Sequence, residues 1–481
     1  MNVFHAFSGV DSQLMAEKRV FKNINVLGTM EIDIDAIISC GLVHHNERLK
    51  EELKKDWNDE KISFVRKWLK ERNIGFDFDK GKSKIDRLPK NKLKLLFLSC
   101  LLTRNYGDIS LANKKRINSE IDLFTYSFPC TDISTAGRQD GLTKNSGTRS
   151  SLLWECEKFI NINKPKFLLL ENVKNLVGKK FIKDFENWLL ILDKLGYKSY
   201  YKVLNAKDYG VPQNRERVFC LSIRKDIDKG YNFPTEIPLE KKLKDLLDDN
   251  VDDKYYLKDT AKFFINNSFA MEHKGNGFRF KPHVHNNANI AKCLTTKAGS
   301  RMDDNFIIDV ESKNETFEFS SKNDELKSVR LFGIFDTEKS KHQAGSVWDK
   351  EMLAPTLDTA QGGYRMPLIV GRTDKIITLG NIMPSGHSAG RVIGTNGISS
   401  TVMENYGLAI TIGDNVDNDF IIRRLTPREC WRLMDFDRDA FNKVKEYISD
   451  SQSYKIAGNS IVVSCLEHIF ISLKNQYEEC D

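Results

Sequence analysis

Short apolar segments alternate with helical patterns along the first half of the chain, and this alternation restricts the fold more than any other feature of the sequence. Strand-like segments are predicted at 3–7, 25–30, 121–128, 167–170, 200–204 and 217–223, with helical patterns between them, as at 152–160 and 185–195. Strands and helices in alternation favour a doubly wound α/β domain. We therefore predict an α/β fold for residues 1–225.

A different kind of sequence follows after about residue 225. Residues 226–420 are rich in Asn, Gly, Ser and Thr and hold short strand-like pieces without a sustained helix. Within them Ala-Gly-Ser-Val at 344–347 recurs as Ala-Gly-Arg-Val at 389–392, which indicates either a duplicated β unit or a coincidence in Gly/Thr-rich sequence. Helical patterns return at the capping box Thr426-Pro427-Arg428-Glu429, so residues 421–481 are predicted to rejoin the first domain.

Composition excludes several classes of protein. Hydrophobic residues make up 40% and charged residues 29% of the 481 positions, which is typical of a globular chain and not of a disordered one. The longest apolar run, at 95–102, is too short for a bilayer, and we recognise no secretory signal before the first strand, so a cytoplasmic protein without a membrane partner is predicted. Nine scattered cysteines without a Cys-x-x-Cys pair argue against disulfides and a structural metal site.

One segment carries the formal charge of the chain. Residues 44–106 contain 17 Lys and Arg against 10 Asp and Glu, an excess that equals the net charge of +7 of the whole sequence. Two interpretations of this basic insertion stay open: contact with a polyanion, or a solvated helical surface without a partner.

Polar residues stand at the ends of the first predicted strands. Phe7-Ser8-Gly9 marks a strand-to-helix turn in which main-chain amides can approach a cofactor closely. Glu31 ends the second strand, where a carboxylate typically binds ribose hydroxyls, and Asp108 is placed to end a third. Each signal alone is equally typical of an ordinary turn between a strand and a helix.

Two further strand ends carry reactive side chains. Cys130 follows Phe128-Pro129 at the end of a buried strand, where a thiol is either a nucleophile or a small apolar core residue. Glu171 follows the apolar residues 168–170, where a carboxyl group suits a general acid unless it caps the next helix from an exposed edge.

Two arginines alternate with a glutamate in Gln213-Asn214-Arg215-Glu216-Arg217. Alternation along a strand places Arg215 and Arg217 on one face. Two converging guanidiniums can hold phosphates or a developing anion, and a ladder of charges on an edge strand is the alternative interpretation.

The order of these motifs resembles that of the DNA (cytosine-5) methyltransferases. The series consists of Phe-Ser-Gly at 7–9, Glu31, Asp108-Ile109, Phe-Pro-Cys at 128–130, Glu-Asn-Val at 171–173, Gln-x-Arg-x-Arg at 213–217, Leu-Thr-Pro-Arg-Glu-Cys at 425–430 and Gly-Asn-Ser at 458–460. The similarity spans residues 1–42, 107–224 and 421–470. It implies a Rossmann-like, S-adenosylmethionine-dependent methyltransferase domain, with a smaller β-rich target-recognition domain inserted before the C-terminal helices.

The resemblance also implies roles for individual residues. Cys130 looks like the catalytic nucleophile, and Glu171 looks like the residue that contacts N3 of the base. Arg217, with Arg215 beside it, looks like a catalytic-site contact of the flipped cytosine. The residues that match the lining of the S-adenosylmethionine pocket are Phe7, Ser8, Gly9, Glu31, Ile32, Asp108, Ile109, Pro129, Leu152, Asn459 and Ser460.

The resemblance implies methyl transfer from S-adenosylmethionine to C5 of a cytosine flipped out of double-stranded DNA, through a covalent bond to Cys130 and without a metal. Two alternatives stay open: a cytosine-5 methyltransferase acting on tRNA, and a catalytically inactive DNA-binding protein on the same fold. The length of 226–420 favours DNA, because reading a sequence needs an elaborate recognition domain. The presence of Cys130, Glu171 and Arg217 argues against an inactive protein.

Recognition of DNA is expected mainly in the block 226–420. Polar residues there that suit contacts with base edges are Gln361, Arg365, Asn396 and Asn405. Gln213 and Arg215 are expected at the DNA interface of the catalytic loop. The family resemblance leads us to expect a monomeric bacterial or phage enzyme, with a cognate restriction endonuclease as a candidate partner.

Two features depart from the family pattern. Val10-Asp11-Ser12 stands where the first motif usually continues with glycines, so the detailed shape of the cofactor turn is not carried over. The segment between Glu31 and Asp108, which includes the basic insertion, is longer than usual, and its role is not carried over either.

Overall fold

The chain divides into two compact units. The structure is a computed structural model that describes residues 1–78, 80–112, 114–130, 133, 149–256, 290–296, 304–310 and 420–477, with short strand segments between residues 283 and 411. The first unit comprises Met1–Phe264, Met271–Asp309 and Ile422–Asp481, and the second comprises Ile265–Ala270 and Val310–Ile421.

Helices of the first unit surround a central sheet. The described α-helices are α1 (Ser12–Val20), α2 (Ile34–Leu53), α3 (Asp59–Lys70), α4 (Lys90–Leu102), α5 (Ile109–Ala112), α6 (Leu153–Asn163), α7 (Ile182–Lys194), α8 (Pro427–Arg432), α9 (Ala440–Val444), α10 (Asp450–Asn459) and α11 (Val463–Tyr477). Short 3-10 helices lie at Ile85–Arg87, Arg149–Leu152, Lys174–Val177, Ala206–Tyr209, Leu243–Leu246 and Asp253–Tyr255.

The strands fall into one large sheet and several small ones. Along the chain they are β1 (Asn2–Ala6), β2 (Asn25–Met30), β3 (Phe76–Asp77), β4 (Lys82–Ser83), β5 (Leu123–Tyr126), β6 (Phe167–Val173), β7 (Tyr197–Asn205), β8 (Gln213–Asn214), β9 (Glu216–Arg224), β10 (His283–Val284), β11 (Ala291–Lys292), β12 (Phe306–Val310), β13 (Arg330–Gly333), β14 (Ser346–Trp348), β15 (Leu368–Ile369), β16 (Thr378–Asn381), β17 (Arg391–Gly394), β18 (Ala409–Thr411) and β19 (Phe420–Arg424).

The large sheet has six strands in the order β2-β1-β5-β6-β9-β7. The first four are parallel, as strands connected through helices usually are. β9 is antiparallel to both of its neighbours. The predicted α/β fold is therefore confirmed, but the sheet is mixed, because the chain passes from β6 to the edge strand β7 and returns between them as β9.

Side chains of the central sheet alternate between two apolar layers. Val3 and Leu169 pack into one layer, and Phe4 and Leu168 into the other, since successive residues of a strand point to opposite faces. Helices α2, α4 and α11 contribute buried residues to the first layer, and α6 and α7 to the second. Both faces of the sheet are therefore covered by helices, as predicted for a doubly wound domain.

The basic insertion forms part of the first layer. Leu49, Leu69, Leu93 and Leu96 from its helices are completely buried. Exposed lysines such as Lys61 alternate with buried positions along α3, which makes that helix amphipathic. The segment is thus a helical addition to the core with a basic outer surface, and both interpretations of that surface stay open.

The C-terminal segment returns to the first unit through the predicted capping box, which is confirmed. Thr426 Oγ1 accepts a 3.2 Å hydrogen bond from the Glu429 amide, and the Glu429 carboxylate accepts a 2.7 Å bond from the Thr426 amide. The same carboxylate lies 2.9 Å from a guanidinium nitrogen of Arg423, and neither side chain is exposed. Removal of one partner would leave a buried charge unpaired, so a substitution at either residue would destabilise the start of α8.

The second unit contains a duplicated β motif. β13, β14 and β15 form one three-stranded sheet, and β16, β17 and β18 form another. In each sheet the first pair is antiparallel with a shift in register and the second pair is parallel. β14 begins at Ser346 and β17 at Arg391, which is the spacing of the sequence repeat. The interpretation of the repeat as a duplicated β unit is confirmed.

The boundary between the units differs from the change in composition at residue 225. The described residues 226–256 belong to the first unit. Tyr231, Leu243 and Leu247 are buried in the same apolar layer as α11, and the Tyr231 hydroxyl donates to the Ile469 carbonyl. A few well-spaced apolar side chains therefore hold a largely polar segment against the rest of the first unit, a feature that average composition does not reveal.

A buried ionic cluster supports the first strand-to-helix turn. His5 on β1 lies 2.8 Å from Asp11 and 3.1 Å from Glu17, and all three side chains are buried. Burial alone would lower the pKa of His5, but the two carboxylates raise it to about 10. Asp11 also accepts a hydrogen bond from the Leu14 amide and so caps α1.

The charge on His5 predicts how stability depends on pH. Because the pKa of His5 is raised in the folded chain, its contribution is fully present below about pH 6.5 and is lost as the pH rises towards about 10. We expect the difference in free energy of unfolding between the wild type and His5→Gln, measured by urea denaturation, to shrink over this range. His468→Gln is the control, since the described hydrogen bond of that ring is to the Ser464 carbonyl. A difference that is constant from about pH 7 to 10 would show that His5 is neutral in the native state.

Candidate active site

The register between β6 and β9 brings a carboxylate and a guanidinium together at one edge of the central sheet. Glu171 pairs with Phe219 and Val173 pairs with Arg217. Glu171 and Arg217 are therefore diagonal neighbours on one face. Glu171 Oε1 lies 3.3 Å from Arg217 Nε, and the Glu171 side chain is 6% exposed. The alternative of Glu171 at an exposed edge is thus wrong.

The other oxygen of the Glu171 carboxylate accepts a hydrogen bond from a hydroxyl group. Ser127 Oγ donates a 2.5 Å hydrogen bond to Glu171 Oε2. Ser127 directly follows β5, the strand beside β6, so the two strand ends supply the two partners. The sequence motifs did not identify Ser127, although its position between a buried strand and Phe128-Pro129 was an available signal.

Cys130 lies in the loop after β5 and is partly exposed. Burial raises the pKa of its thiol, while the Arg217 guanidinium is the group that most favours the thiolate. A thiol with a raised pKa is mostly protonated at neutral pH and becomes a nucleophile when it loses that proton.

Two hydrogen bonds fix the main chain in front of Cys130. Asn172 Nδ2 donates to the Phe128 carbonyl at 2.9 Å, and Ser150 Oγ donates to the Pro129 carbonyl at 2.7 Å. The Glu-Asn-Val motif therefore positions the Phe-Pro-Cys motif directly, through the residue next to Glu171.

The buried side chain of Arg215 links segments that lie far apart in the sequence. Its Nη2 donates to the carbonyls of Gly458 and Ser460, each at 2.9 Å, and its Nη1 donates to the Leu294 carbonyl at 3.1 Å. The guanidinium is 3% exposed. In this conformation main-chain oxygens occupy the guanidinium of Arg215 and give it a positioning role, while its predicted catalytic and DNA-binding roles stay predictions.

Gln213 has a similar position and is fully buried. Its Nε2 donates to the Leu433 carbonyl at 2.7 Å, and its Oε1 accepts from the Leu294 amide at 3.0 Å. Both ends of its amide group are therefore bound within the protein in this conformation, and the expected contact of Gln213 with DNA stays a prediction.

Glu31 organises the end of β2. Its Oε2 accepts a 2.9 Å hydrogen bond from the Gly9 amide, and its Oε1 accepts 2.8 Å bonds from the Ile32 and Asp33 amides. Burial raises the pKa of Glu31, and the nearby Asp33 carboxylate raises it further. Gly9, Glu31 and Ile32, predicted separately, are thus linked in one network.

Asn105 connects this network to Asp108. Its Oδ1 accepts from the amides of Glu31, at 3.1 Å, and Gly107, at 2.9 Å, while its Nδ2 donates to the Glu31 carbonyl. Asp108 accepts a 2.8 Å hydrogen bond from Asn73, at the end of α3, and Ile109 is buried beside it. The motifs did not identify Asn105 or Asn73, because they lie in the long segment outside the family pattern.

The turn after β1 is built from left-handed residues. The φ angles of Phe7, Gly9 and Asp11 are 56°, 58° and 63°. A side chain added at Gly9 would meet nothing within 4 Å, so the Cα atom of Gly9 faces open space while its amide donates to Glu31. Asp11 takes a conformation that favours glycine, and its bonds to Leu14 and His5 offset the strain. The departure at Val10-Asp11-Ser12 therefore preserves a tight turn, in which Ser8 is buried.

The remaining predicted cofactor residues lie around the same region of the first unit. Phe7 and Leu152 pack against the second apolar layer, as does Cys130. Asn459 ends α10 and is exposed, Ser460 is buried, and Pro129 precedes Cys130. Lys455 of α10 lies 2.5 Å from Asp33, which ties the Gly-Asn-Ser motif to the strand end that carries Glu31.

Some predicted features lie outside the described residues. These are the base-reading candidates Gln361, Arg365, Asn396 and Asn405, together with 131–132 and 134–148 after Cys130. Among the residues that are described, no three His, Cys, Asp or Glu side chains cluster as metal ligands would. One described stretch, Asp450–Tyr477, is long and apolar enough to cross a membrane, but it comprises the separate helices α10 and α11, and its most apolar window is 67% buried.

The arrangement combines a nucleophile with a means of stabilising charge on a ring. A thiol at a strand end can add to an electron-poor carbon. The Glu171–Arg217 pair beside it can hydrogen-bond a ring nitrogen and balance the charge that develops there. Gly9, Glu31 and Asp108 follow neighbouring elements of the first unit and form a second group of residues, called the Gly9 edge here. This edge offers main-chain and carboxylate groups to a polar ligand.

Known proteins resemble this chain over most of its length. The profile of the family described as C-5 cytosine-specific DNA methylase matches residues 82–475. The chain is 44% identical over 261 residues to the type II methyltransferase M2.ScrFI of Lactococcus lactis subsp. cremoris, which covers 54% of this chain and 70% of that protein. It is 28% identical over 471 residues to the orphan methyltransferase M.SPBetaI of Bacillus phage SPbeta, and this match covers 84% of this chain and 94% of that protein.

A solved structure shows the same fold. The S. pombe Dnmt2 methyltransferase superposes with a TM-score of 0.50 at 13% sequence identity, over 99% of this chain and 98% of that one. The family match extends from the basic insertion to the last helix and includes Cys130, Glu171 and Arg217. The chain therefore belongs to the family of C-5 cytosine-specific DNA methylases and is a DNA cytosine-5 methyltransferase.

Proposed function

We propose that this chain transfers a methyl group from S-adenosylmethionine to C5 of a cytosine flipped out of double-stranded DNA, through a covalent bond between Cys130 and C6. The observation that most supports this mechanism is the grouping of Cys130 with the Glu171–Arg217 pair at one sheet edge. A base inside a duplex is out of reach of such a thiol, so the base has to leave the stack.

The protein's own residues account for the addition and the elimination. The Cys130 thiolate adds to C6, and the electrons of the C5–C6 double bond make C5 nucleophilic. Glu171 hydrogen-bonds N3, and Arg217 holds Glu171 and contributes positive charge as the ring gains electrons. After C5 has taken the methyl group, loss of the C5 proton re-forms the double bond and expels the Cys130 thiolate.

The edge formed by Gly9, Glu31 and Asp108 fits S-adenosylmethionine. The open space at Gly9 allows a ligand to approach the main chain, and Glu31 and Asp108 offer oxygens to hydroxyl and amino groups. When bound, S-adenosylmethionine supplies an electrophilic methyl group on a sulfonium centre. Lys455, paired with Asp33, keeps a positive charge beside this edge.

Replacing the nucleophile tests the covalent step. Cys130→Ser should lose methyl transfer by about 1,000-fold or more while still binding DNA, because a serine hydroxyl is hard to ionise at neutral pH. Transfer of labelled methyl groups to DNA gives the rate, and a duplex with 5-fluorocytosine should trap an adduct on the wild type. Cys220→Ser, in the middle of β9, is the control and should stay active. An adduct on another residue would contradict the assignment of Cys130.

Replacing the carboxylate tests the role of Glu171. Glu171→Gln should lower the single-turnover methylation rate by about 100-fold, since its contribution belongs to the addition step and not to ground-state binding. The affinity for S-adenosylmethionine should stay within about twofold of the wild type. Glu216→Gln is the matched control, because Glu216 pairs with Lys174 at 2.8 Å and is exposed. Loss of cofactor affinity with an unchanged rate on saturated enzyme would make Glu171 a cofactor residue.

Within this proposal, the second unit recognises the DNA sequence around the target cytosine. The catalytic groups all face the flipped cytosine, so they do not read its neighbours. The second unit is built from two copies of one β motif, and repeated units of this kind present loops in equivalent positions. Gln361, Arg365, Asn396 and Asn405 belong to this part of the chain and have side chains that suit base edges.

Exchange of Val310–Ile421 with the corresponding block of a relative tests this assignment. We expect the chimaera to methylate the relative's site, with the chemistry unchanged, because residues 226–264 and 271–309 stay with the catalytic unit. Bisulfite sequencing of plasmid from expressing cells gives the methylated site. An active chimaera that keeps the original site would place recognition in the first unit, including the basic insertion.

The biological setting is proposed from the relatives. They come from a bacterium and a bacteriophage, and one is named a type II and the other an orphan methyltransferase. A cytoplasmic, monomeric enzyme with or without a cognate restriction endonuclease fits both names. Double-stranded DNA is the proposed substrate, and tRNA assayed beside it separates the alternative raised by the motif series.

A further inference from the structure

A second thiol lies at the proposed catalytic site. Cys293 Sγ is 3.4 Å from Nη1 of Arg215 and 3.7 Å from Nη2 of Arg217. It directly follows β11, and β11 pairs with β8, the strand that leads into these arginines. The pairing of two short strands therefore carries this thiol to both guanidiniums.

The two arginines depend on Cys293 to different degrees. Arg215 also donates to three main-chain carbonyls, so its position is fixed without the thiol. The described partners of Arg217 are Glu171 at Nε, the Glu216 carbonyl at Nη1 and Cys293 at Nη2. Glu171 and Cys293 are the two acidic groups among them, and they contact different nitrogens of the guanidinium.

The pKa values of the two thiols at this site are shifted in opposite directions. Burial alone would raise the pKa of Cys293, but the Arg215 and Arg217 guanidiniums hold it below its ordinary value. Burial raises the pKa of Cys130, as described above. Arg217 therefore acts on two thiols whose pKa values are shifted in opposite directions.

We propose that Cys293 is a positioning residue for methyl transfer, and that its thiolate holds the Arg217 guanidinium against Glu171. This inference rests on the proposed function. Hydrogen bonds to an ionised acceptor are about twice as strong as neutral ones, so a charged sulfur fixes the arginine better than a hydroxyl would. The charged groups that face Cys293 are Arg215 and Arg217, with Glu171 and Cys130 near Arg217, and the Leu294 carbonyl lies 3.6 Å from the sulfur.

The first test measures the charge on the sulfur. Thiolates absorb more strongly in the far ultraviolet than thiols do, so wild type, Cys293→Ser and Cys130→Ser are compared at neutral pH without DNA. We expect Cys293→Ser to lose the absorbance of one thiolate and Cys130→Ser to lose none. Equal absorbance in the wild type and Cys293→Ser overturns the proposal, whatever the enzymatic rates.

The second test measures methyl transfer in a single turnover. Cys293→Ser and Cys293→Ala should each be about tenfold slower, as expected when a charge-assisted hydrogen bond is lost, with the affinity for S-adenosylmethionine unchanged. Cys293→Asp restores a negative charge and should recover most of the rate, which a purely structural role would not predict. A Cys293→Ser variant with the wild-type rate overturns the proposal.

The two proposals fail in different ways. If Cys130→Ser still methylates DNA, the proposed function is wrong and the result for Cys293 does not rescue it. If Cys130→Ser is inactive while Cys293→Ser is fully active, the covalent mechanism stands and only the positioning role of Cys293 is wrong. Thermal unfolding of each variant with S-adenosylhomocysteine separates a loss of folding from a loss of positioning.

Discussion

The candidate site depends on the position of β9 between β6 and β7. Because β9 is antiparallel to both, its first residues reach the edge at which the parallel strands end. That direction brings Arg217 to Glu171. A shift of one residue in the register would turn Arg217 to the opposite face, since side chains alternate along a strand. The long ladders on both sides of β9 make such a shift costly, and so fix the electrostatics of the site.

The Gln-x-Arg-x-Arg motif divides into a structural part and a reactive part. Gln213 and Arg215 point into the protein and bind main-chain groups of the segments that follow β11 and α10. Arg217, two residues further, faces the carboxylate and the thiols. The motif therefore links the C-terminal segment to the sheet and at the same time directs one arginine towards Glu171 and Cys293.

Local patterns in the sequence were sufficient for the strand positions and the α/β class, whereas the grouping of Cys130, Glu171 and Arg217 was expected only from the order of the motifs. They were insufficient wherever a contact joins distant segments. Pairings between strands far apart in the chain determine the direction of β9, the bond from Ser127 to Glu171 and the approach of Cys293 to Arg217. The burial of Gln213 was missed for the same reason, because its partners lie 81 and 220 positions away.

Two ionic clusters, at the end of β1 and at the start of β9, differ in their exposure. His5, Asp11 and Glu17 are buried and bind one another, which fixes a left-handed turn where a glycine would otherwise be needed. In the second cluster Glu171 is paired with Arg217, and Cys130 stays partly exposed. A buried ionic group acts only on the fold around it, whereas a partly exposed group can also contact a ligand. The first cluster therefore fixes the turn after β1, and the second remains accessible through Cys130.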